Sequence, residues 1–136
     1  PYKNKALVVS LDAKGRQTNE GGKLEGKYMT CSIKNFGRYT IAIDTVAPKC
    51  KPQNFVSGKA LKAKEKKIIV KISDNLSGVS SYNAYLNGQW ILAEYDGKSG
   101  RLIMDAKKLK QGTNKLTIKL SDSKSNSASF DYTITK

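Results

Sequence analysis

The dipeptide Asn87-Gly88 constrains this chain more than any other pair of residues. A two-residue type I′ turn needs positive φ at both central positions, and Asn-Gly supplies them at low steric cost. It stands between SSYNAYL and QWILAEY, two runs of strand-forming residues, and sets their register. Leu86 falls opposite Gln89, Tyr85 opposite Trp90 and Ala84 opposite Ile91. Asp74-Asn75 and Ser77-Gly78 mark a turn before this hairpin, and Asp96-Gly97 with Ser99-Gly100 mark one after it. Residues 73–98 therefore predict a three-stranded antiparallel meander at the centre of a β domain. Paired residues share a face. One face would carry Tyr82, Ala84, Leu86, Ile91, Ala93 and Tyr95, the other Asn83, Tyr85, Trp90, Leu92 and Glu94. The small, aliphatic face reads as core. That leaves Tyr85, Trp90 and Leu92 as a candidate contact for a glycan or a protein partner. The plainer alternatives make Trp90 the core tryptophan of a sandwich, or cover this face with residues 1–48.

The rest of the chain repeats the β pattern. Residues 5–12 (KALVVSLD) suit a buried strand, and the glycine-bearing residues 13–26 suit a loop with at most a short irregular strand. Residues 27–34 alternate, with Met29, Cys31 and Ile33 on one side. Asn35-Phe36-Gly37 turns the chain, and residues 38–44 return with Tyr39, Ile41 and Ile43 on one face. Three strands and a loop are too few to bury a good core alone, so residues 1–48 are expected to be a small β module that ends a preceding domain. Residues 45–48 mark the boundary, because Pro48 and Pro52 fix φ and cannot donate to a ladder, so a sheet should end there. Residues 49–136 then supply strands near 67–73, 79–86, 89–95 and 101–104, one carrying Leu116, Ile118 and Leu120 at period two, and a last one with Ala128, Phe130, Tyr132 and Ile134 on one face, with a further edge strand near 54–57. Residues 106–110 suit one helical turn. The expected fold is all-β: an antiparallel sandwich preceded by a partial β module.

Charge and the missing residue types narrow the chemistry. The 136 residues carry 25 Lys+Arg against 11 Asp+Glu, a net charge of +14, so any large partner is favoured to be a polyanion. Residues 1–48 hold 8 basic and 4 acidic side chains and residues 49–136 hold 17 and 7, so the excess lies mostly in the second part. There is no histidine, which removes the commonest zinc ligand and the Ser-His-Asp and Cys-His nucleophile arrangements. Cys31 and Cys50 are too few for a structural zinc site and leave open a disulfide or two buried thiols. No apolar run is long enough for a membrane span or a signal h-region. The chain opens on Pro1 close to a strand, and so reads as part of a longer protein with any export signal upstream.

Two stretches resemble known modules. Residues 38–49 (RYTIAIDTVAPK) are similar to the strand-plus-linker pattern GRYxxxxDTxxP between β modules of exported Bacteroidetes proteins. Residues 74–98 (DNLSGVSSYNAYLNGQWILAEYDGK) and 105–126 (DAKKLKQGTNKLTIKLSDSKSN) resemble the body and the ending of an immunoglobulin-like module. Both patterns occur in the C-terminal, non-catalytic region of lysostaphin-like peptidoglycan zinc endopeptidases of that phylum. The resemblance implies an immunoglobulin-like second part and an extracytoplasmic location, in the periplasm or at the cell surface. It also implies two partners: an upstream domain of the same polypeptide, and peptidoglycan or another envelope polymer. Ser125 stands where the pattern prefers glycine. The family's zinc centre needs His-x-x-x-Asp and His-x-His, so what the resemblance implies is an accessory region rather than a peptidase.

Other constellations are weaker. Glu94 and Asp96 could pair for glycoside hydrolysis, but nothing supplies a cleft or raises a pKa, and turn carboxylates fit as well. Asp74, Asn75, Asp122 and Asn126 could gather around calcium, yet Asp and Asn are the ordinary residues of such turns. The sequence accordingly assigns no metal and no cofactor. Lys59, Lys62, Lys64, Lys66 and Lys67 are the candidate polyanion contacts. They lack interleaved aromatics, so nucleic acid is disfavoured, and lysines at sheet edges also discourage aggregation. The expected function is a non-catalytic accessory or scaffolding module that positions or anchors a peptidoglycan endopeptidase. The alternatives are a glycan- or polyanion-binding module, or a ligand-free spacer or adhesion-type domain.

Overall fold

A computed structural model describes residues 2–136. Its strands, in order, are β1 (Ala6–Leu11), β2 (Gln17–Gly21), β3 (Lys23–Glu25), β4 (Tyr28–Thr30), β5 (Arg38–Ile43), β6 (Lys49–Pro52), β7 (Lys59–Ala60) and β8 (Lys67–Ser73). They continue as β9 (Val79–Leu86), β10 (Gln89–Ile91), β11 (Glu94–Asp96), β12 (Arg101–Asp105), β13 (Thr113–Asp122) and β14 (Ser127–Thr135). The helical content among the described residues is two single 3-10 turns, Lys3–Lys5 and Ala106–Lys108. The protein is all-β.

Residues 6–43 form a three-stranded sheet in the order β2-β1-β5 and a separate β3-β4 hairpin. The stretch read as a loop thus supplies β2 and β3, held to β1 and β4 by backbone bonds that need no apolar alternation. The alternating run at 27–34 contributes only Tyr28–Thr30. Ile41 and Ile43 share a face as expected, but that face is largely exposed.

The second part is a sandwich. A five-stranded sheet, β10-β9-β13-β14-β7, faces a four-stranded sheet, β11-β12-β8-β6. Neighbours are antiparallel except β14 and β7. Period-two alternation aims Ile68, Val70 and Ile72 of β8, with Leu102 and Met104 of β12, at Ala84, Leu86, Leu116, Ile118, Leu120 and Ile134 of the opposite sheet. Each fully buried leucine or isoleucine stabilises the fold by about 1.5–3 kcal/mol relative to exposure, and this shared core holds the two sheets together. Phe55 and Tyr132 close one end edge-to-face, with ring centroids 5.8 Å apart.

Three expectations need correction. The meander of residues 73–98 is not one sheet. Asn87 (φ 51°) and Gly88 (φ 81°) make the predicted turn with the predicted pairing, but the strand stops at Ile91 and resumes at Glu94 in the opposite sheet. Ala93 is buried at this crossing, and a single ladder could not have supplied strands to both sheets. Tyr82 and Tyr95, predicted on one core face, therefore belong to different sheets, where they are partly exposed and meet with centroids 5.5 Å apart. Second, the first sheet ends at Ile43, ahead of Pro48 as expected, but Pro52 does not keep its own residues out of a sheet. Lys49–Pro52 is the edge strand of the four-stranded sheet, where a missing N–H is tolerated. Third, residues 54–57 form no strand. The Asn54 side chain stands in for the ladder, accepting from Ile69 N (2.9 Å) and donating to Lys67 O (2.8 Å). The disulfide alternative also falls, since Cys31 and Cys50 are both free thiols, the first half-buried and the second buried.

Candidate functional site

The register from Asn87-Gly88 extends across the five-stranded sheet. Trp90 pairs with Tyr85, Tyr85 with Thr117, and Thr117 with Asp131. This row lies on the face away from the core, because Ala84, Leu86, Leu116 and Ile118 occupy the alternate positions. Trp90 is 59% exposed, so it is not the core tryptophan. Its indole Nε1–H donates to Asn83 Oδ1 at 3.3 Å, which fixes the ring against the sheet. The Lys119 ammonium sits 5.2 Å from the centroid of the half-buried Tyr85 ring, within cation–π range. Asn83 and Lys119 also line a shallow groove of about 450 Å³, together with Ser81, Ser121, Ser127 and Ser129. Asn83 and Lys119 thus link the aromatic pair to a neighbouring trough edged by serine hydroxyls.

The other predicted contacts do not join them. Leu92, 65% exposed, sits where the chain crosses between sheets and borders a second depression with Ile91, Ile103, Lys67 and Lys108. Lys59 and Lys62 flank a third with Phe55, Val56 and Glu65. Lys64 and Lys66 are exposed and line none of these. The five lysines thus form no single groove, and Glu65 interrupts them. Asp96 is a turn carboxylate: it accepts from Ser99 Oγ (2.6 Å) and Lys98 N (3.1 Å), and the Ser99 hydroxyl leads in holding it below the usual range. A general acid needs the opposite shift.

A cluster that the turn residues Asp74 and Asp122 announced without Asp44 lies where residues 2–44 meet the sandwich. Asp44 follows β5, Asp74 follows β8 and Asp122 ends β13. One carboxylate oxygen from each lies within 4.8 Å of the others, although Asp44 is 0% and Asp122 2% exposed. Two ionised carboxylates at that spacing repel by roughly 3 kcal/mol at an effective dielectric of about 20. Each acid is held in place by N–H donors. Asp44 accepts from Ser77 N (2.9 Å) and Val46 N (3.1 Å), and Asp74 Oδ2 from Leu76 N (3.1 Å) and Gly78 N (2.8 Å). Asp122 accepts from Lys124 N (2.8 Å), Asn126 N (2.9 Å) and Asn126 Nδ2 (2.6 Å). Burial pushes the Asp44 carboxyl up, but the Ser77 hydroxyl and N–H, Val46 N–H and the nearby Lys5 outweigh it and leave the group below the usual carboxylate range.

The same junction is stitched by bonds between the two parts. Asn126 Nδ2 donates to Asp44 O (3.0 Å), Asn19 Nδ2 to Ser77 O (3.1 Å), and Lys5 Nζ to Lys124 O and Asn126 Oδ1, both at 2.6 Å. Asp74, Asp122 and Asn126 were legible as turn residues. Asp44 was legible as the aspartate of the strand-plus-linker pattern but not as their neighbour, because they lie 30 and 78 positions away in the chain.

The first part has a family match. A family model described as a Zu5-like domain matches residues 1–44, so this part of the chain is similar to that domain. The match ends on Asp44, the first acid of the junction. No curated protein matches the chain.

Proposed function

We propose that this chain is a non-catalytic accessory module of an exported cell-envelope protein, positioned outside the cytoplasm, whose outer sheet face rests on a glycan strand. The observation that carries this reading is Trp90, 59% exposed and paired with Tyr85 beside a serine-lined groove. Flat aromatic faces stack on the C–H faces of sugar rings, while Ser, Asn and Lys side chains can bond to sugar hydroxyls and acetamido groups. A net charge of +14 adds attraction to anionic wall polymers. The resemblance to the immunoglobulin-like C-terminal region of lysostaphin-like endopeptidases makes peptidoglycan the first polymer to test. It also makes a neighbouring enzyme domain of the same polypeptide the natural cargo. The absence of histidine agrees with an accessory rather than a catalytic part.

Pull-down with purified peptidoglycan tests the reading. The wild-type chain should be retained at low salt and largely retained at high salt. Trp90→Ala should weaken retention about tenfold, since losing one stacking contact of roughly 1.4 kcal/mol corresponds to that factor. No retention at low salt removes the wall-binding reading and favours a ligand-free spacer. Retention that vanishes with salt but ignores Trp90→Ala would support the second reading, polyanion binding through the exposed lysines, which the net charge favours.

A further inference from the structure

Three carboxylates gathered from three separate strands ends need a counter-charge, and the side chains around them supply little. Among the described residues, Asp44, Asp74 and Asp122 form no ion pair. The hydrogen bonds of the Lys5 ammonium go to Lys124 O and Asn126 Oδ1 rather than to a carboxylate. Two further oxygens are buried and unused. Asp74 Oδ1 has no hydrogen-bond partner, although its sister Oδ2 takes two N–H groups. Ser77 is 4% exposed, and its Oγ also has no partner. Its backbone N–H is bonded to Asp44 Oδ2 at 2.9 Å, and its hydroxyl lies beside that same carboxylate without completing a hydrogen bond. Buried oxygens are almost always paired, so an unpaired Asp74 carboxylate oxygen, beside a buried Ser77 hydroxyl that faces Asp44 without a well-formed hydrogen bond, points to a missing positive partner.

The donor set selects its chemistry. All are hard oxygens, with no nitrogen or sulfur ligand among them, which suits calcium or magnesium rather than zinc or copper. Calcium binds oxygen at about 2.3–2.6 Å, so two ligands of one ion can stand up to about 5 Å apart, whereas magnesium at about 2.0–2.1 Å draws them within about 4.2 Å. Carboxylate oxygens within 4.8 Å of one another are thus on the scale of one calcium shell.

We propose that Asp44, Asp74 and Asp122, with the Ser77 hydroxyl, bind one calcium ion that clamps the first β part to the sandwich. Asp44 brings the end of β5, Asp74 and Ser77 bring the turn between the two sheets, and Asp122 brings the end of β13. The remaining coordination positions fall to water and carbonyl oxygens. The ion fixes the angle between the parts and so the direction in which the outer sheet face points. This assignment does not depend on what that face binds.

The test uses the 136-residue chain stripped with EDTA and titrated with CaCl2, with MgCl2 and with NaCl at matched ionic strength. Calorimetric titration should give one calcium site with a Kd on the order of 10⁻⁵–10⁻³ M. At 10 mM Ca2+ the melting temperature should rise by roughly 5–14 °C across that range of Kd, with a smaller rise in magnesium and none beyond ionic strength in sodium. Asp74→Asn keeps the Oδ acceptor that holds the turn but removes charge, so it should bind calcium at least tenfold more weakly while folding normally in EDTA. Asp122→Asn should weaken calcium binding likewise, with some loss of stability in EDTA because its amide NH2 would face the Asn126 Nδ2 donor. Absence of both binding heat and a calcium-specific melting shift in the wild-type chain overturns the proposal and leaves the nearby Lys5 to balance the carboxylates. Unchanged calcium affinity in folded Asp74→Asn and Asp122→Asn variants overturns it equally.

Discussion

Ser125→Gly should stabilise this protein, and Asn87→Gly, the same kind of change, should destabilise it. Both residues hold positive φ, 60° at Ser125 and 51° at Asn87. An L-residue in the left-handed region is worse off by about 1–2 kcal/mol, while glycine is unstrained there. Glycine also loosens the unfolded chain, which offsets roughly 0.5–1 kcal/mol of that relief. Ser125 is exposed and, among the described residues, its side chain makes no hydrogen bond, so the net gain at this site is about 0.5–1 kcal/mol. At about 2.1 cal/mol/K of unfolding entropy per residue, a chain of 136 residues should gain about 2–3 °C in melting temperature. Asn87 differs because its side chain is used. Oδ1 accepts from Lys115 N at 2.8 Å, and Nδ2 donates to the buried Asn114 Oδ1 at 2.9 Å. Asparagine also tolerates this region better than serine, so glycine relieves less. Two lost bonds at about 0.5–1.5 kcal/mol each outweigh the relief, for a net loss of about 1–2 kcal/mol. Differential scanning calorimetry on the two variants in one buffer decides it. A lower melting temperature for Ser125→Gly, or a higher one for Asn87→Gly, would refute the reasoning about both turns.

Further outcomes follow from single buried groups. Asn114 is fully buried; its amide accepts from Lys110 N (2.9 Å) and donates to Lys110 O (2.7 Å) and Gly112 O (3.0 Å). Asn114→Ala leaves these turn groups without partners and should cost about 3–4 kcal/mol in urea unfolding. Gly100 has φ 65°, and a Cβ there would stand 3.0 Å from Ile72 O, so Gly100→Ala should lower stability by about 2 kcal/mol in the same assay, through backbone strain and crowding. Burial pushes the Cys50 thiol up from its ordinary value, and the thiolate is the reactive form. With a thiol reagent at neutral pH, the native chain should therefore label at half-buried Cys31 first, with Cys50 labelled only after unfolding. Two equivalents reacting at once in the native state would contradict the placement of Cys50.

Much of the fold was legible because β-strands have a short period. The alternation of Ile68, Val70 and Ile72, of Leu116, Ile118 and Leu120, and the Asn87-Gly88 turn each fixed a local register that the structure keeps. Ser125, where the resembled pattern prefers glycine and a different turn was expected, holds a left-handed φ of 60°. Where two strands differ only in which sheet they join, the chain carries no local mark. Ile91 and Glu94 read as one strand because their alternation is unbroken, and only competition for partners sends them to opposite sheets. The same limit hid the weak strands β2 and β3, whose pairing rests on backbone bonds rather than on apolar side chains.

Of the candidate surfaces, the sequence by itself determined that Tyr85 and Trp90 share a face, since a two-residue turn leaves no other register. It could not determine that this face is the outer one. That depended on β13 lying beside β9 and presenting Leu116, Ile118 and Leu120 to the opposite side. Nor could spacing along the chain bring Asp44 to Asp74 and Asp122. Local sequence sets turns and faces through short-range sterics and alternation. Which ends of which strands meet is set by the burial of a shared core, and that is a property of the whole chain.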